Sequence, residues 1–276
     1  MNMKSVLMIG QSNMAGRGYL SDVPAIYNEN IQMLRNGRWQ MMAEPIHFDR
    51  AVSGVGPAAS FAEKWCIDNP KEQIGLIPCA EGGSSIDEWR IDGTLFRHAV
   101  SEAKFALENS ELIAILWHQG ENDSSAGKYK EYYNKLEIIV EEFRNTLGQV
   151  PFIIGGLGDY LGKTGFGAHC TEYELVNREL YKFATEKQEC YFVTGSNLYS
   201  NPDGIHINAE SQRRFGLRYY EAFDKKKHIT APLSDEYQQV DELLSREHTS
   251  SEKQYIALEK FTLGKISLEE VIATLK

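Results

Sequence analysis

The chain has 276 residues, a length between one large domain and two ordinary ones. Its 39 Asp and Glu outnumber its 29 Lys and Arg, for a net charge of −10, so it lacks the basic footprint that nucleic acid or an anionic membrane surface requires. With 42% hydrophobic and 25% charged residues it is neither disordered nor a disulfide-dense mini-protein, and it is long enough to bury a core without staples.

The chain opens MNMKSVLMIG. One Lys and a short apolar run ending at Gly10 do not make a secretory leader, and the stretch reads as a buried first strand and its turn. No apolar run approaches the roughly 18 residues of a membrane span. Cys66, Cys79, Cys170 and Cys190 have no C-x-x-C or zinc spacing and read as reduced core residues. The expected location is cytoplasmic.

Short apolar runs then recur at residues 5–10, 74–79, 112–118, 151–157 and 190–195. Their apolar residues are consecutive, which suits strands covered on both faces. Amphipathic stretches lie between them. The clearest places Tyr129, Tyr133, Leu136, Val140, Phe143 and Leu147 at alternating steps of four and three, with Gly148 as its stop and Pro151 opening the next strand. Alternating strands and helices predict an α/β fold, a three-layer α/β/α sandwich around a flavodoxin-like, five-stranded parallel sheet. Residues 1–228 form the expected main domain. Residues 229–276 carry nine acidic and five basic residues, −4 of the net charge. They predict short helices too polar for a core of their own, packing on the main domain or on a second copy of the chain.

In such sheets ligands bind at the carboxyl ends of the strands. Reactive, Gly-rich segments collect there: Gly10-Gln11-Ser12-Asn13, Ala80-Glu81-Gly82-Gly83-Ser84, Gln119-Gly120-Glu121-Asn122-Asp123, and Asn201-Pro202-Asp203-Gly204-Ile205-His206. Ser12, in the turn after the first strand, can expose its hydroxyl above the sheet. A serine needs a base to take its proton, and the base needs a group to fix its tautomer. Asp203 and His206, three apart before a helix, can supply both. Gly82 and Gly83 can offer backbone N–H groups to a developing oxyanion, and Asn122 and Gln119 can offer amide N–H groups.

GQSNM at 10–14, GGSSIDEW at 82–89, WHQGEND at 117–123 and DGIH at 203–206 resemble the blocks of the SGNH (GDSL-like) hydrolase superfamily. They are most similar to its sialate O-acetylesterase and acetylxylan esterase branch. The blocks fall in the family's order across about four-fifths of the chain. The resemblance implies a serine esterase acting on a small acetylated carbohydrate, without metal or cofactor. It implies Ser12 as nucleophile, His206 as base and Asp203 as orienting acid. Glu121 is an alternative acid. Ser12 N–H with Gly82 or Gly83 is the implied oxyanion hole, Asn122 or Gln119 its third donor. Gln11 and Trp89 are expected to line the substrate.

Rival readings are weaker. The glycines at 10, 16 and 18 miss the phosphate-loop spacing and lack its Lys-Ser/Thr. Gly54-Val55-Gly56-Pro57-Ala58-Ala59 imitates a dinucleotide fingerprint, but no strand precedes it and Pro57 suits the first turn of a helix. The remaining histidines make no zinc motif. A short-chain lipase or thioesterase of the same superfamily and an inactive sugar-binding module remain as alternatives.

Overall fold

A computed structural model describes residues 3–275. Strand β1 (Met3–Gly10) runs through the middle of the sheet and turns into a one-turn helix, α1 (Ser12–Ala15). There follow β2 (Ile31–Arg35), β3 (Arg38–Met41), α2 (Ala58–Asp68), β4 (Ile74–Pro78), α3 (Thr94–Ala106), β5 (Ser110–His118), α4 (Tyr129–Leu147), β6 (Phe152–Gly158), α5 (Tyr173–Glu186), β7 (Cys190–Gly195) and α6 (Ala209–Lys225). The last helices are α7 (Glu236–Leu244), α8 (Ser250–Thr262) and α9 (Leu268–Leu275).

The described residues form a sheet of seven strands, not five, in the order β3-β2-β4-β1-β5-β6-β7. Six are parallel and β3 is antiparallel to β2. The two extra strands are a hairpin at one edge, closed by Asn36 and Gly37 at φ 52° and 70°. An Asn-Gly pair is the strongest local hairpin signal. The flanking QMLR and RWQM segments lack the continuous apolar pattern by which the other strands are read.

Alternate residues of each central strand feed two cores. On β1, Val6 and Met8 join Phe61 and Trp65 of α2 and Phe215 and Tyr219 of α6. Leu7 and Ile9 join Phe96 of α3, Leu136 and Phe143 of α4 and Leu180 of α5. Both faces are covered, which is why the strands read as unbroken apolar runs. The chain travels from β1 to one edge and returns across it to β5. The carboxyl ends of β1 and β5 therefore flank the point where the winding reverses, where α/β sheets hold their ligands. The segment after residue 228 is not detached. Ile229 runs beside β7, exchanging backbone hydrogen bonds with Thr194 and Phe192 at 2.8 and 2.7 Å. Among the described residues no helix is long and apolar enough to cross a membrane.

Candidate active site

Ser12 is the first residue of α1, 5% exposed at the end of β1. Its Oγ lies 3.1 Å from His206 Nε2. His206 Nδ1 lies 2.7 Å from Asp203 Oδ2. With Nδ1–H donating to the carboxylate, Nε2 carries the lone pair and accepts the Ser12 hydroxyl. The Asp-x-x-His spacing works through a local turn: Asp203 Oδ1 accepts the N–H groups of Ile205 and His206, at 3.0 Å each. The backbone of the histidine thus fixes the acid that orients its ring. Burial pushes the Asp203 carboxyl up, but the hydrogen bonds from His206 and Ile205 and the nearby imidazole outweigh it, so it lies below its ordinary value.

The oxyanion side is more selective than its sequence suggests. Gly82 N–H donates to Asp49 Oδ2 at 2.8 Å and is taken. Gly83 N–H has no protein partner among the described residues. Asn122 Nδ2 donates to Gly83 O, so one of its two N–H groups braces this turn, and the other has no protein partner among the described residues. Gln119 is fully buried, and its Nε2 is within bonding distance of Gln11 Oε1, Ser84 O and Asp123 Oδ2 at 3.1, 3.1 and 2.7 Å. Two hydrogens facing three acceptors leave nothing for an oxyanion.

Three other expected positions are corrected. Glu121 does not bond His206. It is fully buried, with Oε1 3.0 Å from His118 Nε2 and accepting from Asn13 Nδ2. Trp89 is completely buried, edge-on to Trp117 with ring centroids 5.6 Å apart, its Nε1 donating to Ser84 Oγ, so it is a core residue and lines no substrate. Gln11 is 2% exposed, and its Oε1 accepts from Gln119 Nε2 and Gly120 N–H, tying two site loops together from beneath.

The structure also supplies residues that the sequence left unremarked. Arg17 and Asp49 form an ion pair whose side chains are each 4% exposed, and Asp49 in turn holds Gly82. Burial raises the Asp49 carboxyl, but the bonds from Arg17, Ser53 and Gly82 outweigh it and hold it below its ordinary value. Arg17 lies three positions beyond the GQSNM block and Asp49 in a loop without pattern, so no local signal joined them. On the His206 side an open cleft of about 760 Å³ is walled by Tyr19, Leu20, Val52 and Phe166 together with Asp203 and His206. Phe166 is 74% and Tyr19 50% exposed, so both rings are free to meet a ligand. Among the described residues no three metal-ligating side chains converge.

An α/β/α sandwich thus carries a hydrogen-bonded Ser-His-Asp constellation at the carboxyl end of its central strand. A family model described as carbohydrate esterase, sialic acid-specific acetylesterase, matches residues 2–225, and the chain belongs to that family. It is 29% identical over 244 residues to a probable carbohydrate esterase of Arabidopsis thaliana, covering 79% of this chain and 88% of that one. The X-ray structure of this Arabidopsis protein superposes with a TM-score of 0.72 at 26% identity, over 81% of this chain and 98% of the other. The crystal structure of NanS gives 0.65 at 18% identity over 82% and 98%. A carbohydrate acetylesterase of Xanthomonas citri gives 0.54 at 16% identity over 79% of this chain and 55% of its own. The last two likenesses are of fold.

Proposed function

We propose that the protein is a serine esterase that removes O-acetyl groups from a small acetylated carbohydrate through an acetyl-enzyme. The carrying observation is the unbroken chain Ser12 Oγ, His206 Nε2, His206 Nδ1, Asp203 Oδ2, with links of 3.1 and 2.7 Å. His206 takes the Ser12 proton as Oγ attacks the acetyl carbonyl carbon. The carbonyl oxygen becomes the oxyanion, received by the N–H groups of Ser12 and Gly83 and the free N–H of Asn122. His206 gives the proton to the departing sugar oxygen. Water then repeats the sequence on the acetyl-enzyme, releasing acetate and returning the proton to Ser12.

The leaving oxygen must lie beside His206 to be protonated, so the alcohol half of the ester lies on the His206 side. The cleft there offers Phe166 and Tyr19 to the C–H face of a sugar ring. The family and the carbohydrate esterases among its relatives support a sugar alcohol.

The test is hydrolysis of p-nitrophenyl acetate and release of acetate from acetylated oligosaccharides. Ser12→Ala and Asp203→Asn should each lower kcat by at least about 10³-fold. EDTA should leave the rate unchanged. Phe166→Ala should raise KM several-fold for an acetylated oligosaccharide and little for p-nitrophenyl acetate. Hydrolysis that survives Ser12→Ala would sink the reading, and a rate rising from acetyl to octanoyl esters would replace it with a lipase.

A further inference from the structure

Asn13, the residue after the nucleophile, grips the chain on both sides of His206. Its Oδ1 accepts Ile207 N–H at 2.8 Å, and its Nδ2 donates to Ile205 O at 3.1 Å. The second hydrogen of Nδ2 goes to Glu121 Oε1. This orientation of the amide is the one its partners permit. Turned over, it would set N–H against N–H at Ile207 and oxygen against carboxylate at Glu121. Glu121 is itself fixed, since Oε1 lies 3.0 Å from His118 Nε2 at the end of β5, with both side chains buried. Burial raises the Glu121 carboxyl, but His118 and the bond from Asn13 outweigh it, so an ionised acceptor faces Asn13.

We propose that Glu121 is a positioning residue which, acting through Asn13, fixes the peptide groups flanking His206 and so sets the base in register with Ser12. The proposal rests on the Ser12–His206–Asp203 reading. Ser12 and Asn13 are consecutive, so one turn of α1 places the nucleophile and holds the base. Glu121 locks that turn to β5 across the reversal point of the sheet. Because Asp203 occupies Nδ1 of His206, Glu121 has no direct claim on the ring.

A displacement of about 1 Å at a reacting group can cost on the order of 10²-fold in rate. Loss of the grip should therefore appear in kcat and leave KM in place. The experiment compares Glu121→Ala, Glu121→Gln, Asn13→Ala and Asp203→Asn in the full chain, with kcat and KM for p-nitrophenyl acetate and a thermal melt of each. Glu121→Ala and Asn13→Ala should lose about 10- to 100-fold in kcat at constant KM. Glu121→Gln retains an oxygen for Asn13 and should recover most of what Glu121→Ala loses. Where Glu121→Ala fails to fold, Asn13→Ala decides, since it leaves the His118–Glu121 pair intact. Wild-type kcat in folded Asn13→Ala overturns the proposal. So does a Glu121→Gln collapse as deep as that of Asp203→Asn, which would make Glu121 the orienting acid. Activity independent of Ser12 would instead defeat the esterase reading, so the two failures are separable.

Discussion

His47 is 3% exposed beneath the site, and burial pushes its imidazole down from 6.5 to about 4. Its folded value lies below its unfolded one, so its contribution to stability is complete above about pH 6.5. That contribution disappears as pH falls through about 4. The displacement corresponds to roughly 3 kcal/mol. Urea titrations at pH 7 and pH 4.5 should show a fall in wild-type stability that His47→Gln reduces. His228, also lowered by burial, works in the same direction and leaves a residual slope; Glu63 and Asp123, raised by burial, oppose it. An equal slope in wild type and variant would refute the assignment. Ser12, Asp203 and His206 were legible because each sits in a short block whose chemistry is local. Asn13 and Asp49 were not, because their partners are reached by folding. Asn13 meets residues 108 and 194 positions away, and no spacing rule connects them.

At the scale of elements, the site depends on how closely β1 passes β5. Gly10 has φ +127°, and a Cβ there would fall 2.0 Å from the carbonyl oxygen of His118, the acceptor of Gln11 N–H at 2.8 Å. Any side chain must push the end of β1 from β5 and carry Ser12 with it. Gly10→Ala should therefore cost roughly 2–4 kcal/mol and lower kcat in the folded protein, measured by denaturant titration and p-nitrophenyl acetate turnover. Gly37, in the hairpin turn, has nothing within 4 Å of a Cβ. Gly37→Ala should cost only about 1 kcal/mol, for the left-handed backbone, with unchanged kcat. Equal effects of the two would contradict this account. The central strands were legible because burial on both faces writes a continuous apolar run. The β2–β3 hairpin lies at the edge, where that rule fails, and only Asn36-Gly37 marked it.

For the whole molecule, the open question is how a tail without a core of its own belongs to the fold. Its apolar contribution is small, with Val240 and Leu243 on Leu217 of α6. Ile229 also enters the core beneath α6, and charge adds further ties. Glu236 of α7 meets Arg214 at 3.1 Å and Arg218 at 2.7 Å, all three nearly sealed from solvent. Arg246 bonds Glu63 of α2 at 2.7 Å and Glu252 of α8 at 2.9 Å, and Glu252 accepts Glu29 N–H. The sequence showed the tail to be polar. It did not show that Arg214 and Arg218 of α6 are buried and take their acid from beyond residue 228. Removing one partner from a buried cluster leaves the others desolvated and uncompensated, at about 3–5 kcal/mol. Burial raises the Glu236 carboxyl, but Arg218 and Arg214 outweigh it and lower it, so its support is present at neutral pH and is lost only as pH falls below the ordinary carboxylate range. Glu236→Ala should lower Tm by several degrees at pH 7 in a single transition, because the orphaned charges lie in α6, which also covers the sheet beneath Ser12. Two transitions, with the larger at the wild-type Tm, would mean instead that the tail melts alone and that the body keeps its stability without it.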